Sequence, residues 1–118
     1  MIAVINLTPH PVVVLGTDGR EVAAFAPSGS VARITEFVTD EPPLGTATGA
    51  IPLATVTYSS VIDGLPEPRS DTAYVVSRVL AGAVFRPDVF FPGGEVRDTA
   101  GQIIGCRYLA RLSPAGER

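Results

Sequence analysis

The chain has 118 residues, 46% of them hydrophobic, which predicts one domain with one core and no need of a metal or disulfide staple. A formal charge of −3 argues against general nucleic-acid binding, which rests on a basic footprint, and a single cysteine excludes an intrachain disulfide, as suits a reducing compartment. The opening residues lack a signal pattern, and no run approaches the roughly 18 apolar residues of a membrane span, so a cytoplasmic protein with no membrane partner is expected.

Twelve glycines and eleven prolines separate short runs rich in Val and Ile, the pattern of a strand protein with many turns. Ile2 to Leu7 reads as a first strand. Thr8-Pro9-His10-Pro11 then makes a stiff corner, because each proline drives the residue before it toward extended geometry. Pro11 to Leu15 and Glu21 to Phe25 flank a loop whose Asp18-Gly19 is a hairpin signal. Ser30 to Val38 alternates like a strand, but with mixed faces that name no buried side. Asp40 to Gly49, with Pro42-Pro43, is expected to be an exposed loop. Ile51 to Tyr58 is a strand candidate that Pro52 confines to an edge or a strand start.

Turn chemistry fills 59–71, and Ala73 to Val76 follows as a buried strand. Ser77 is placed to N-cap a short helix through Val84, which Gly82 weakens by up to about 1 kcal/mol. Asp88 to Phe91 reads as a short strand ending at Pro92-Gly93-Gly94. Glu95 to Arg97 and Gln102 to Leu112 bracket the hairpin loop Asp98-Thr99-Ala100-Gly101. On the return strand Ile104, Cys106, Tyr108, Ala110 and Leu112 share the predicted inner face. Residues 113–118 are expected to fray. The sum is a mainly β (α+β) single domain over 1–118: a small antiparallel β-barrel or two-sheet sandwich with about one short helix near residues 77–84.

One histidine and one cysteine give no Cys/His metal cluster, and no Walker loop, dinucleotide-type glycine run or Gly-x-Ser-x-Gly elbow occurs. Nothing here argues for catalysis, and no cofactor or metal is expected. Cys106, on the apolar face of the return strand, reads as core packing. His10 either fixes its corner through a backbone contact or is presented rigidly to a ligand.

All nine basic residues are arginines, which either codon usage or bidentate recognition of phosphate explains. Arg33 follows a Ser-Gly-Ser turn, Arg86 follows the helix and Arg97 precedes Asp98 at the last hairpin. Gathered with Ser77 and its helix start, these would make a phosphate pocket, oriented by His10, with Phe90 or Phe91 stacking on a base. The ordinary alternative is a turn pair for Arg97 with Asp98, solvated charge for the other arginines, and interface packing for the phenylalanines.

Ile5-Asn6-Leu7-Thr8-Pro9-His10, Pro27-Ser28-Gly29-Ser30-Val31-Ala32-Arg33, Gly64-Leu65-Pro66 through Tyr74-Val75-Val76-Ser77, and Arg97-Asp98-Thr99-Ala100-Gly101-Gln102-Ile103-Ile104-Gly105 resemble a family of small proteins encoded by bacteria and their phages. The resemblance covers most of the chain and brings no catalytic residues with it. It implies an accessory protein, of the kind that captures or neutralises a host signal such as a nucleotide messenger. The placement of arginines beside turns and a helix start makes the expected function non-catalytic binding of a small phosphorylated ligand, such as a nucleotide or cyclic nucleotide. The alternative is a structural or protein-interaction accessory module acting through its surface or by oligomerising, with 40–49 as its contact element. A third is a hydrolase or transferase with His10 as general base. A homo-oligomer is expected from base rates in any case.

Overall fold

A computed structural model describes residues 1–113, so the expected frayed tail lies outside the described residues except for Ser113. The elements are β1 (Ala3–Asn6), β2 (Val12–Leu15), β3 (Glu21–Phe25), β4 (Arg33–Thr46), β5 (Gly49–Asp63), β6 (Thr72–Val75), α1 (Arg78–Val84), β7 (Val89–Arg97) and β8 (Ile103–Ala110). The fold is mainly β with one short helix, as the sequence predicts. Its strands form a six-stranded sheet in the order β1-β6-β7-β8-β2-β3 and a separate two-stranded ribbon, β4-β5.

The sheet is mixed where an antiparallel one was expected. β1 runs parallel to β6, β6 to β7, and β2 to β8, while the β7–β8 and β2–β3 pairs are antiparallel. Parallel neighbours need long crossovers, and the chain supplies them: α1 joins β6 to β7, and the whole ribbon lies between β3 and β6. The sheet curls until its outer strands meet. Asn6 bridges to Pro27, and the Ser28 N–H donates to the Asn6 carbonyl at 3.0 Å.

β6 is covered on both sides, which is why Ala73-Tyr74-Val75-Val76 reads as an unbroken apolar run. On one face Tyr74 and Val76 join Leu7, Leu80, Ala81, Val89 and Phe91, with α1 as a lid. On the other, Val75 packs with Val12 and Cys106 inside the curl. α1 starts at Ser77, whose Oγ accepts from the Leu80 N–H at 3.4 Å. It ends at Phe85, left-handed at φ 48°, whose N–H donates to Ala81 O at 3.2 Å.

Two expectations are corrected. Asp40 to Gly49 is exposed but is no loop: the strands run to Thr46 and resume at Gly49, leaving only a tight turn. Prolines 42 and 43 lie in the register shift between Glu41 and Leu44, opposite Pro52, where the ladder is interrupted and the missing N–H groups leave no regular pairing broken. The inner face of β8 is also narrower than predicted. Cys106 is buried, but Ile104 and Tyr108 are exposed. Tyr108 lies across the outer backbone of Gly93 and Gly94, where a Cβ on either glycine would strike its ring.

The ribbon projects from the body as an arm. The radius of gyration is 17.9 Å, against about 13.5 Å for a compact chain of this length.

Candidate functional site

The eight residues singled out in the sequence do not gather in one place. Arg86 is fully engaged: Nε and Nη2 donate to the two Asp88 carboxylate oxygens at 3.0 and 2.7 Å, and Nη1 donates to Pro66 O at 3.0 Å. The hydrogen bonds of this fork, then its charge, hold the Asp88 carboxyl below the usual carboxylate range and raise Arg86 itself. The guanidinium also sits 5.9 Å from the centre of the buried Tyr74 ring. It works as a clamp between the loop before β6 and the turn before β7.

Arg97 closes its own hairpin, donating to Gly101 O at 2.7 Å and to Glu95 Oε2 at 3.0 Å. Asp98 Oδ1 accepts from the N–H groups of Ala100 and Gln102, so it builds the turn and does not pair with Arg97. Phe91 is core, 5% exposed, with Arg78 stacked on it, while Phe90 is half-buried under Arg111. The Ser28-Gly29-Ser30 turn spends its Ser30 N–H on Ser28 Oγ at 3.3 Å. Arg33 is exposed at the root of the arm, opposite Asp63.

Only His10 and Ser77 come together. They line a cleft of about 650 Å3 between the His10 corner, the start of α1 and the β7–β8 hairpin. Its walls are mostly apolar, including Val12, Val76, Pro92 and Ile104, with Glu95 as the acidic member. Its position follows from Asn6, 1% exposed at the end of β1. Asn6 Nδ2 donates to His10 O at 2.7 Å and to Phe25 O at 3.0 Å, while Oδ1 accepts from the N–H and hydroxyl of Thr8 at 2.9 and 2.7 Å. All four bonding positions of the amide are thus used, and the His10 corner is locked to the sheet. Cys106 forms part of the cleft wall, its Sγ 3.4 Å from Val13 O, and burial pushes its thiol pKa up. A thiol held protonated in this way is a poor nucleophile, so packing describes Cys106 better than chemistry. Among the described residues no group of His, Cys, Asp and Glu is arranged to hold a metal ion.

The largest exposed apolar feature is the arm, of which the sequence predicts the two flanking strands but not the continuation through 40–49. Phe37, Val38, Leu44, Ile51, Leu53, Val56, Tyr58 and Val61, all on the arm, are 43 to 69% exposed. They are divided between the two faces of the ribbon: Phe37, Leu44, Ile51 and Leu53 on one, Val38, Val56 and Tyr58 on the other. The signal was present in the sequence: a strand with mixed faces is what a ribbon with no buried side looks like. No family model, curated protein or solved structure matches this chain.

Proposed function

We propose that this protein is a small interaction module, and that the β4–β5 arm is its working surface. One observation carries the reading: eight large apolar side chains stand exposed on a ribbon that touches the body only at its root. A two-stranded hairpin is marginal in water by itself, so such an arm gains most when something covers it.

The test is photo-crosslinking in cells from a reactive residue placed at Leu44 on the arm, compared with one at Val22 on the body, both exposed. Amine-directed reagents are unsuitable because the chain has no lysine. Discrete adducts from the arm position alone are expected. Adducts from neither position, or equally from both, would overturn the assignment.

A second reading is small-ligand binding in the cleft, supported by the meeting of His10 with Ser77 there. Arg33, Arg86 and Arg97, offered by the sequence for a phosphate, are not in its lining. The walls therefore suit an apolar ligand with one or two polar groups better than a nucleotide. A thermal-shift screen of nucleotides, cyclic nucleotides and neutral aromatic compounds separates these classes, since ligand at a hundredfold excess over Kd adds about 2.7 kcal/mol.

A further inference from the structure

We infer that the arm's partner is a second copy of this chain, joined through one face of the ribbon; this rests on the arm being the working surface. The pairing register divides the ribbon into two unlike faces. Directly opposed residues share a face, and faces alternate along each strand. One face carries Ile34 with Ile62, Glu36 with Tyr58, Val38 with Val56, and Asp40 with Ala54. At the root of that face Ile34 and Ile62 are partly buried, with Ile62 packed against the α1-side core, so this is the face turned toward the body.

The other face carries Phe37 with Thr57, Thr39 with Thr55, Glu41 with Leu53, and, beyond the bulge, Leu44 with Ile51. At its root Arg33 lies opposite Asp63; from Phe37 to the tip it has four large apolar side chains and one charge, Glu41. That charge is already engaged, because the Thr55 hydroxyl donates to Glu41 Oε1 at 3.1 Å.

Charge selects the occupant. A two-fold interface sets a surface against itself, so the surface must be compatible with its own copy. The body-side face would stack Glu36 and Asp40 on their own duplicates with no basic residue in reach of the register. The outer face brings only Glu41 near its duplicate, close to the middle of the ribbon, and sets Phe37 of one arm over the Leu44–Ile51 end of the other.

Area is sufficient, though only just. From Phe37 to Thr46 the face is ten residues long, about 33 Å at strand rise, and two strands wide. Two such faces bury on the order of 1,000 Å2 together, near the least a specific interface needs. The assembly is therefore a reversible dimer that exchanges with monomer.

Sedimentation equilibrium of the purified full chain between roughly 1 and 500 μM tests this, the weak-dimer range that such an area implies. The average mass is expected to climb from one chain toward two. Leu53→Ser should weaken dimerisation by at least about tenfold, and Val38→Ser, on the opposite face, by less than about threefold. Glu41→Gln should tighten it, a result that misfolding cannot produce. Unchanged thermal unfolding of all three variants shows that the body is intact. A monomer at every concentration overturns the inference, as does equal loss in Leu53→Ser and Val38→Ser, or weakening by Glu41→Gln. A monomer whose arm still crosslinks a different protein in cells defeats the second copy but keeps the interaction module; a monomer without arm adducts defeats both.

Discussion

Replacing Asn6 by aspartate changes almost no volume and reverses the sense of one side of a buried network. The amide donates to two backbone carbonyls, His10 O and Phe25 O, and accepts twice from Thr8. Asn6→Asp keeps the acceptor side and turns the donor side into a carboxylate oxygen facing two carbonyls. Two hydrogen bonds at about 1–1.5 kcal/mol each are lost, and the unsatisfied carbonyls and desolvated charge bring the total to about 3–4 kcal/mol. For a domain of this size that is a fall in Tm of about 12–16 °C. The sign of the pH dependence is fixed by the same geometry. A buried carboxyl with no cation beside it has a folded pKa raised above its unfolded value, so the deficit is full at neutral pH. It shrinks as pH falls through the folded pKa, since the neutral carboxyl can donate one of the missing bonds. Dye-reported melting at pH 7.5 and pH 4.5, each referenced to the unaltered protein, measures both effects. A Tm within about 3 °C of the parent at pH 7.5, or a deficit equal at both pH values, would show that Asn6 does not hold the sheet's closure.

Three further outcomes follow from particular contacts. Arg86→Leu and Asp88→Leu should each cost about 2–3 kcal/mol, and the double variant less than their sum, because the pair is partly buried and doubly bonded. Asp88 is depressed in the fold, so its contribution is whole above the ordinary carboxylate pKa and fades as acid takes pH through the lower folded value, readable as a steeper acid limb in the parent than in Arg86→Leu. Gly64→Ala should cost at least about 2 kcal/mol in chemical denaturation, since φ is +80° and its Cβ would lie 2.7 Å from Val31 O, whereas Gly19→Ala, also at +80° but in open space, should cost only about 1. The Cys106 thiol should react with a disulfide reagent at pH 8 at least about tenfold more slowly in folded than in unfolded protein, because burial raises its pKa and blocks access.

Local chemistry was legible in the sequence, and partnership was not. Asp18-Gly19 placed the β2–β3 hairpin, Ser77 placed the start of α1, and Asp98 to Gly101 placed the β7–β8 turn, because each depends on residues within one turn of itself. The parallel pairings were invisible, since periodicity shows that Ala73 to Val76 is covered on both faces but not by what. Both strands of the arm are legible at Ser30 to Val38 and Ile51 to Tyr58, but their continuation through 40–49 is not, because Pro42-Pro43 is ordinarily a reason to end a strand and here sits in a bulge. For the site, the corner at His10 was legible from its prolines. That Asn6 locks it, that Ser77 faces it, and that Arg86 is consumed by Asp88 and Pro66 are tertiary facts with no local trace.

The order of the sheet also sets when it can form. β8, the last strand among the described residues, pairs with β7 on one side and with β2 on the other, Val14 opposite Cys106. Until residues near 110 have left the ribosome, β2 and β3 have no connection to the rest of the sheet except through the Asn6 corner. The arm is the reverse case: its contacts join residues close in sequence, and local hairpins close within microseconds while distant pairings wait. Every pairing of the ribbon is complete in sequence by Asp63, before β6, β7 and β8 have been made, whereas the sheet has to wait for β8.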